Sequence, residues 1–156
     1  MTDKIDHVWE IMEKGHVCML VTRDGGELRA RPMGAMPRRD EHVVWFVTDI
    51  RAHKDEELRA DPSACITFES GSTYLSVSGH AEVMRDEAKM KEIWSVAVDA
   101  WFPDGPEDPN AVLLKFTPHE AEYWEGPGRI VAGLKMAMAS IRDTPPDLGE
   151  NKKVSM

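Results

Sequence analysis

Arg29-Ala30-Arg31-Pro32-Met33 is followed across one short turn by Trp45-Phe46-Val47-Thr48-Asp49, and then by His53-Lys54. Set on neighbouring strands, these segments gather two arginines, a threonine hydroxyl and a histidine-lysine pair at one edge of a small sheet. Arginine presents a planar fork of donors to phosphate oxygens and lysine a compact point charge, so together they cradle an anion from two sides. Each cation taken alone reads as an ordinary solvated surface charge. The clustering is what points to a ligand.

Charge and composition narrow the ligand. The 156-residue chain carries 28 acidic residues against 19 lysines and arginines, which argues against nucleic acid or an anionic membrane, because such partners are held by many cations at once. Between Arg23 and Lys54, however, seven basic residues face five acidic ones. A small phosphorylated molecule suits this local basic segment. No apolar run is long enough to span a bilayer, and the N-terminal residues lack the pattern of a secretory signal, so the expected location is the cytoplasm. Cys18 and Cys65 each sit in an apolar run and read as free structural thiols. The six histidines show no metal-ligand spacing, and no metal is expected.

The elements that must position these residues follow from periodicity. Ile5, Val8, Trp9, Ile11 and Met12 recur at helical spacing between Asp3 as cap and Gly15 as stop, which predicts an N-terminal helix over 3–14. Strands are expected over 16–23 and 27–36 around a hairpin turn at Asp24-Gly25-Gly26, then over 42–48, 64–69 and 74–84, with Gly79 marking a bulge or bend. A polar helix anchored by Leu58 spans 51–60. Asp86 caps a helix running to about Ala100, with Met90, Ile93, Trp94, Ala97 and Trp101 along one side as core or subunit contact. Strands over 112–116 and 121–124 bring the expected total to seven. A last helix covers 130–141. One domain over 1–142 is expected, followed by a polar tail, 143–156, that is mobile unless a partner chain orders it.

Arg-x-Arg-Pro-Met on the second strand, Trp-Phe-x-Thr-Asp on the third and a lysine opening the next helix resemble the FMN-binding split barrels related to pyridoxamine 5'-phosphate oxidase. Val77-Ser78-Gly79-His80-Ala81-Glu82, the stretch Trp101 to Pro109 and Ala121-Glu122-Tyr123-Trp124 are similar to the general stress protein branch of that family. The resemblance implies a mainly β fold with peripheral helices, a split β-barrel. It also implies that Arg31, Pro32 and Met33 line the ring and phosphate side of FMN, with Arg29 assisting at the same edge. Val47 and Thr48 fall where the family touches the flavin, and His53 and Lys54 where it holds the phosphate, His53 replacing an arginine. Trp124 matches a tryptophan that reaches the flavin of the neighbouring subunit, which implies a homodimer with the cofactor at the interface. Tyr74 stands where the oxidase has a flavin-contacting glutamine.

One departure bears on activity. After Trp124 the oxidase carries an Arg-Leu-His-Asp-Arg motif that binds substrate, and this chain reads Arg129-Ile130-Val131-Ala132-Gly133, so pyridoxamine phosphate oxidation is not expected. No nucleophile elbow or activated cysteine is present, and no catalytic residue is assigned. The resemblance implies a flavin-dependent oxidoreductase using FMN, with FAD as the alternative, and a reduced nicotinamide or small molecule as electron donor. The competing readings are a flavin-binding stress protein without turnover, acting as carrier, store or sensor, and a split barrel that holds a deazaflavin or haem.

Overall fold

The chain's first turn of tertiary structure is set by Gly25-Gly26. Gly25 sits at a positive φ of 62°, a conformation that costs glycine nothing, and the two glycines join β1 (Val17–Asp24) to β2 (Glu27–Gly34) in a register that pairs Asp24 with Glu27. The computed structural model of the chain describes residues 3–52, 54–126, 129–142 and 149–156. Before the hairpin, α1 (Lys4–Gly15) is capped by Asp3 and buries Val8, Trp9, Ile11 and Met12. Gly15 lies so close to the Phe68 ring that a Cβ there would stand 2.5 Å from it.

The strand expected over 27–36 is broken. Buried Ala35 donates its amide to the carbonyl of His16, and the chain resumes as a short β3 (Met36–Arg38) paired with β4 (Val43–Asp49). Pro37, read as part of a turn, lies inside β3. Arg39–Glu41 make the turn as a 3-10 helix. After β4, a 3-10 turn at Ile50–Ala52 leads to α2 (Lys54–Ala60), whose Leu58 is buried as expected. Next come β5 (Ser63–Ser70) and β6 (Thr73–Met84).

β7 (Ala111–Glu125) merges the two strands expected over 112–116 and 121–124. It pairs with β6 from Leu113 to Glu125, and its other edge changes partner. Residues 111–116 pair with β4, whereas 120–125 pair with β8 (Glu150–Ser155). The switch falls at a bulge, where Ser78 faces Glu120 and Gly79 faces Pro118, so that His119 is the extra residue. Gly79 marks the bend, as its position in the sequence suggests. A Cβ at Gly79 would stand 2.1 Å from the Thr117 carbonyl oxygen.

β8 corrects the expectation of a mobile tail over 150–155, while 143–148 lie outside the described residues. Once β4 leaves, the edge of β7 beyond the bulge has unpaired backbone groups, and residues 150–155 satisfy them. Val154 is buried, and Lys153 stands opposite Glu122. Both prolines of this segment precede the strand in sequence, whereas three of its five charged residues, Glu150, Lys152 and Lys153, belong to it.

The eight strands run in the order β2-β1-β5-β6-β7-β4-β3, with β8 added to β7. The two ends of this path, β2 and β3, are joined only through Ala35, which leaves a seam. The main core, including Trp9, Met12, Leu20, Phe46, Ile66 and Phe116, fills the barrel and seats α1. A second core lies outside, where Val43, Trp45 and Leu113 meet Met90, Ile93 and Phe102. β4 is therefore buried on both faces, which explains its unbroken apolar run.

The helix expected from Asp86 to about Ala100 is two helices, α3 (Glu87–Ile93) and α4 (Val96–Asp99). The Ser95 hydroxyl accepts from the Val98 amide and starts the second one, a local bond that competes with continued helix. The expected stripe splits accordingly. Met90 and Ile93 are core, while Ala97 and Trp101 are exposed. The final helix, α5 (Arg129–Arg142), follows β7. Among the described residues, no helix is long and apolar enough to cross a membrane.

Replacing Gly79 with Ala forces a side chain into the β7 backbone. The expected cost is about 1–3 kcal/mol, read as a lower urea midpoint with an unchanged slope.

Candidate functional site

The seam of the barrel holds a cavity of about 450 Å³. Its walls include Pro32 and Met33 from β2, Val47 and Thr48 from β4, and Val98 and Trp101 from the α4 region. β2 and β4 have no hydrogen bonds to each other, since they belong to opposite arms of the sheet path. That separation keeps the slot open. Thr48 is buried at its floor, and Trp101 stands at the rim with 77 % of its surface exposed.

Four of the residues singled out in the sequence, Pro32, Met33, Val47 and Thr48, thus share one cavity. Asp49, the only titratable group among the described wall residues, is occupied. It accepts hydrogen bonds at 2.9 Å from both the backbone and the Nε of Arg51. The bond to Asp49 and then its charge raise the pKa of the Arg51 guanidinium above its ordinary value.

The arginines expected to form a cationic clamp are both paired. Arg29 lies near the hairpin end, largely exposed, with its Nε 2.7 Å from Asp24. Arg31 is more enclosed. Its Nη1 donates to the Thr22 hydroxyl at 2.5 Å and its Nη2 to Glu57 Oε2 at 3.0 Å, while the Thr22 hydroxyl donates to the same Oε2 at 2.6 Å. The closed triangle joins β2, β1 and α2.

Thr22 and Glu57 are not among the residues that the sequence reading selects. Thr22 nevertheless carries a signal, since it continues the inward alternation of Cys18 and Leu20 and is 1 % exposed. A hydroxyl at such a place requires a partner. His53 lies outside the described residues, and Lys54 is described only as the backbone that opens α2.

Trp124 stands elsewhere in the chain. It is 38 % exposed and lines a second cavity, of about 400 Å³, with Met19, Phe68 and Tyr74. Val17 lines both cavities, so the two hollows adjoin on the surface of one chain.

The Cys18 thiol is not an activated nucleophile. Burial, with a smaller contribution from Cys65, pushes the Cys18 thiol up to about 12. Cys65 Sγ lies 3.4 Å from the Ser76 hydroxyl. His80 and His119 hydrogen-bond each other across β6 and β7, with ring nitrogens 2.8 Å apart. Among the described residues there is no group of three side chains able to hold a metal ion.

The family model described as pyridoxamine 5'-phosphate oxidase like matches residues 3–147. The chain belongs to this family. It is 28% identical over 120 residues to General stress protein 26 of Bacillus subtilis, which covers 72% of this chain and 82% of that protein. A crystal structure of a putative general stress protein 26 from Jannaschia sp. CCS1 superposes with a TM-score of 0.78 at 30% identity, over the whole of both chains. The general stress FMN/FAD binding protein from Xanthomonas citri gives 0.69 at 26% identity, over 76% of this chain and 86% of that one. The resemblance read from the motifs and the split-barrel fold it implied are both borne out.

The Cys18 thiol has a direct test. With its pKa raised from 9.0 to about 12, the unfolded chain loses this proton first as pH rises, so its burial adds stability below pH 9 that is lost as pH climbs toward 12. At pH 8 a thiol reagent should label Cys65 in the native protein and reach Cys18 only after unfolding in urea, as peptide mapping will show.

Proposed function

We propose that this chain binds FMN in the seam cavity between β2 and β4 and acts as a flavin-dependent oxidoreductase, two protomers combining to complete each site. The observation that carries the reading is the cavity itself. It is a slot of about 450 Å³ with mainly apolar walls and few polar groups, the character of a site for a ring system, and it is built from the residues that the family motif marks. The FMN/FAD binding relative from Xanthomonas citri supports a flavin as the occupant.

Bound flavin supplies hydride and electron transfer, and the protein supplies position, polarity and exclusion of water. Met33 and Val47 offer apolar contact to a planar ring, and Thr48 offers its hydroxyl from the floor. Arg31 presents the N–H groups that Thr22 and Glu57 leave free, and Lys54 supplies the remaining positive charge for the phosphate, the role that the family motif also gives to His53 and, in part, to Arg29. No acid or base stands ready in the described walls, because Asp49 is tied to Arg51. This favours transfer of a hydride from a reduced nicotinamide or small molecule over chemistry that needs a protein proton donor. The chain's departure from the oxidase motif after Trp124 argues against pyridoxamine phosphate as substrate.

Exposed apolar groups support the dimer. Val17, Met19, Tyr74 and Trp124 crowd one face, and Leu134, Met138 and Ile141 lie exposed on α5, apolar groups of the kind that subunit contacts cover. A second copy covering the first face brings its own Trp124 toward the cavity through the shared wall at Val17. The free cysteines support a reducing, cytoplasmic setting. The missing substrate motif after Trp124 favours a second reading, a flavin-binding carrier, store or sensor without turnover.

The purified protein should bind one FMN per protomer and elute as a dimer. Its bound flavin should bleach with reduced nicotinamide and recover in air; bound flavin that stays yellow identifies the carrier. Lys54→Ala removes a charge-assisted contact worth about 1.5–3 kcal/mol, so FMN should bind about tenfold to a hundredfold more weakly. A colourless protein that ignores added FMN overturns the reading. Trp124→Ala should alter flavin binding only in the dimer.

A further inference from the structure

We propose that Glu57 is a positioning residue for phosphate recognition, fixing the Arg31 guanidinium through a shared oxygen and through Thr22. The inference rests on the flavin reading above and adds the residue that makes its arginine selective. Three observations carry it.

The first is the closed geometry. Arg31 Nη1 reaches the Thr22 hydroxyl, Thr22 passes its proton donor to Glu57 Oε2, and Arg31 Nη2 reaches that same oxygen. Two contacts on different nitrogens hold a planar fork against rotation, which a single contact does not. The remaining N–H groups of Arg31 then point in a fixed set of directions. The second is enclosure. The side chains of Arg31 and Glu57 are 19% and 12% exposed, and Thr22 is 1% exposed. A surface pair of long side chains gains little from pairing, whereas an enclosed pair with every member bonded is held firmly.

The third is topology. Thr22 is on β1, Arg31 on β2 and Glu57 on α2, the helix that Lys54 opens. The triangle therefore ties the strand bearing Pro32 and Met33 to the helix bearing the other phosphate cation. Glu57 fixes the relation of β2 to α2.

A competing role for Glu57 is that of an internal anion that occupies Arg31 until phosphate displaces it. Enclosure argues against this. Displacement leaves the enclosed Glu57 carboxylate with the Thr22 hydroxyl but without its cation, and taking one partner from an enclosed ion pair is costly. Arg31 therefore keeps Glu57 when it binds an anion, and with its charge compensated it recognises phosphate by direction more than by field.

The design of Oε2 gives a clean test. One oxygen accepts both bonds, so the amide oxygen of glutamine can replace it and keep the triangle while removing the charge. Alanine removes both acceptor positions. FMN and riboflavin share ring and ribityl chain and differ in the phosphate, so the ratio of their affinities, measured by flavin fluorescence titration on the full-length protein, reads the phosphate contact alone.

Glu57→Ala should lower the preference for FMN over riboflavin about tenfold and leave riboflavin affinity within about twofold. Glu57→Gln should keep the preference within about threefold of the parent. Arg31→Ala should lower it as far as Glu57→Ala does, and the double variant no further, because both act through one contact. If Glu57→Ala does not fold, Thr22→Val, which keeps the shape and removes the hydroxyl, should still lower the preference severalfold.

Tighter FMN binding in Glu57→Ala overturns the proposal in favour of displacement. An unchanged preference in Glu57→Ala or, where that variant does not fold, in Thr22→Val also overturns it, as does a Gln variant as impaired as Ala. A parent protein that binds riboflavin and FMN equally overturns this inference and leaves the flavin site standing. A parent that binds neither overturns the flavin reading itself.

Discussion

The pairing of β6 with β7 across the Gly79 bulge is the constraint on which the rest of this structure depends. One backbone carbonyl, that of Thr117, lies where any side chain at residue 79 would stand. The close approach lets a 15-residue strand bend without losing β6, and the bend lets its far edge serve two partners. Residues 111–116 hold β4, with Val47 and Thr48. Residues 120–125 carry Trp124 and take β8. One strand thus positions both the floor of the cavity and the aromatic group that faces away from it.

Electrostatics at the site are quieter than the basic segment 23–54 suggests. Arg29 answers Asp24, Arg31 answers Glu57, and Arg51 answers Asp49. Three cations in this segment are thus matched by carboxylates close at hand. In a chain with 28 acidic residues, such matching keeps the cavity from acting as a general anion trap. A compensated guanidinium offers directed hydrogen bonds and little long-range field.

Much of this arrangement was legible in the residues. Helix α1 announced itself by Val8, Trp9, Ile11 and Met12 at helical spacing; the first hairpin did so by Asp24-Gly25-Gly26, and the bulge by a lone glycine in a strand. The cavity residues Pro32, Met33, Val47 and Thr48 were found through motif. What escaped depended on contacts distant in sequence. The break at Ala35 exists because its amide meets His16, and β8 exists because β4 leaves an edge open 25 to 35 residues earlier in the chain. Glu57 looked like one more acid on a polar helix until folding brought it to Thr22 and Arg31. Trp101, expected in a stripe of core or subunit contact, became a rim residue because Ser95 began a second helix.

β4 belongs to both apolar clusters, with Val44 and Phe46 turned into the barrel and Val43 and Trp45 turned toward α3. Neither cluster can come apart without stripping one side of a strand that the other still needs. The outer helical layer and the barrel therefore melt as one cooperative unit, and local opening is confined to segments that do not touch this strand.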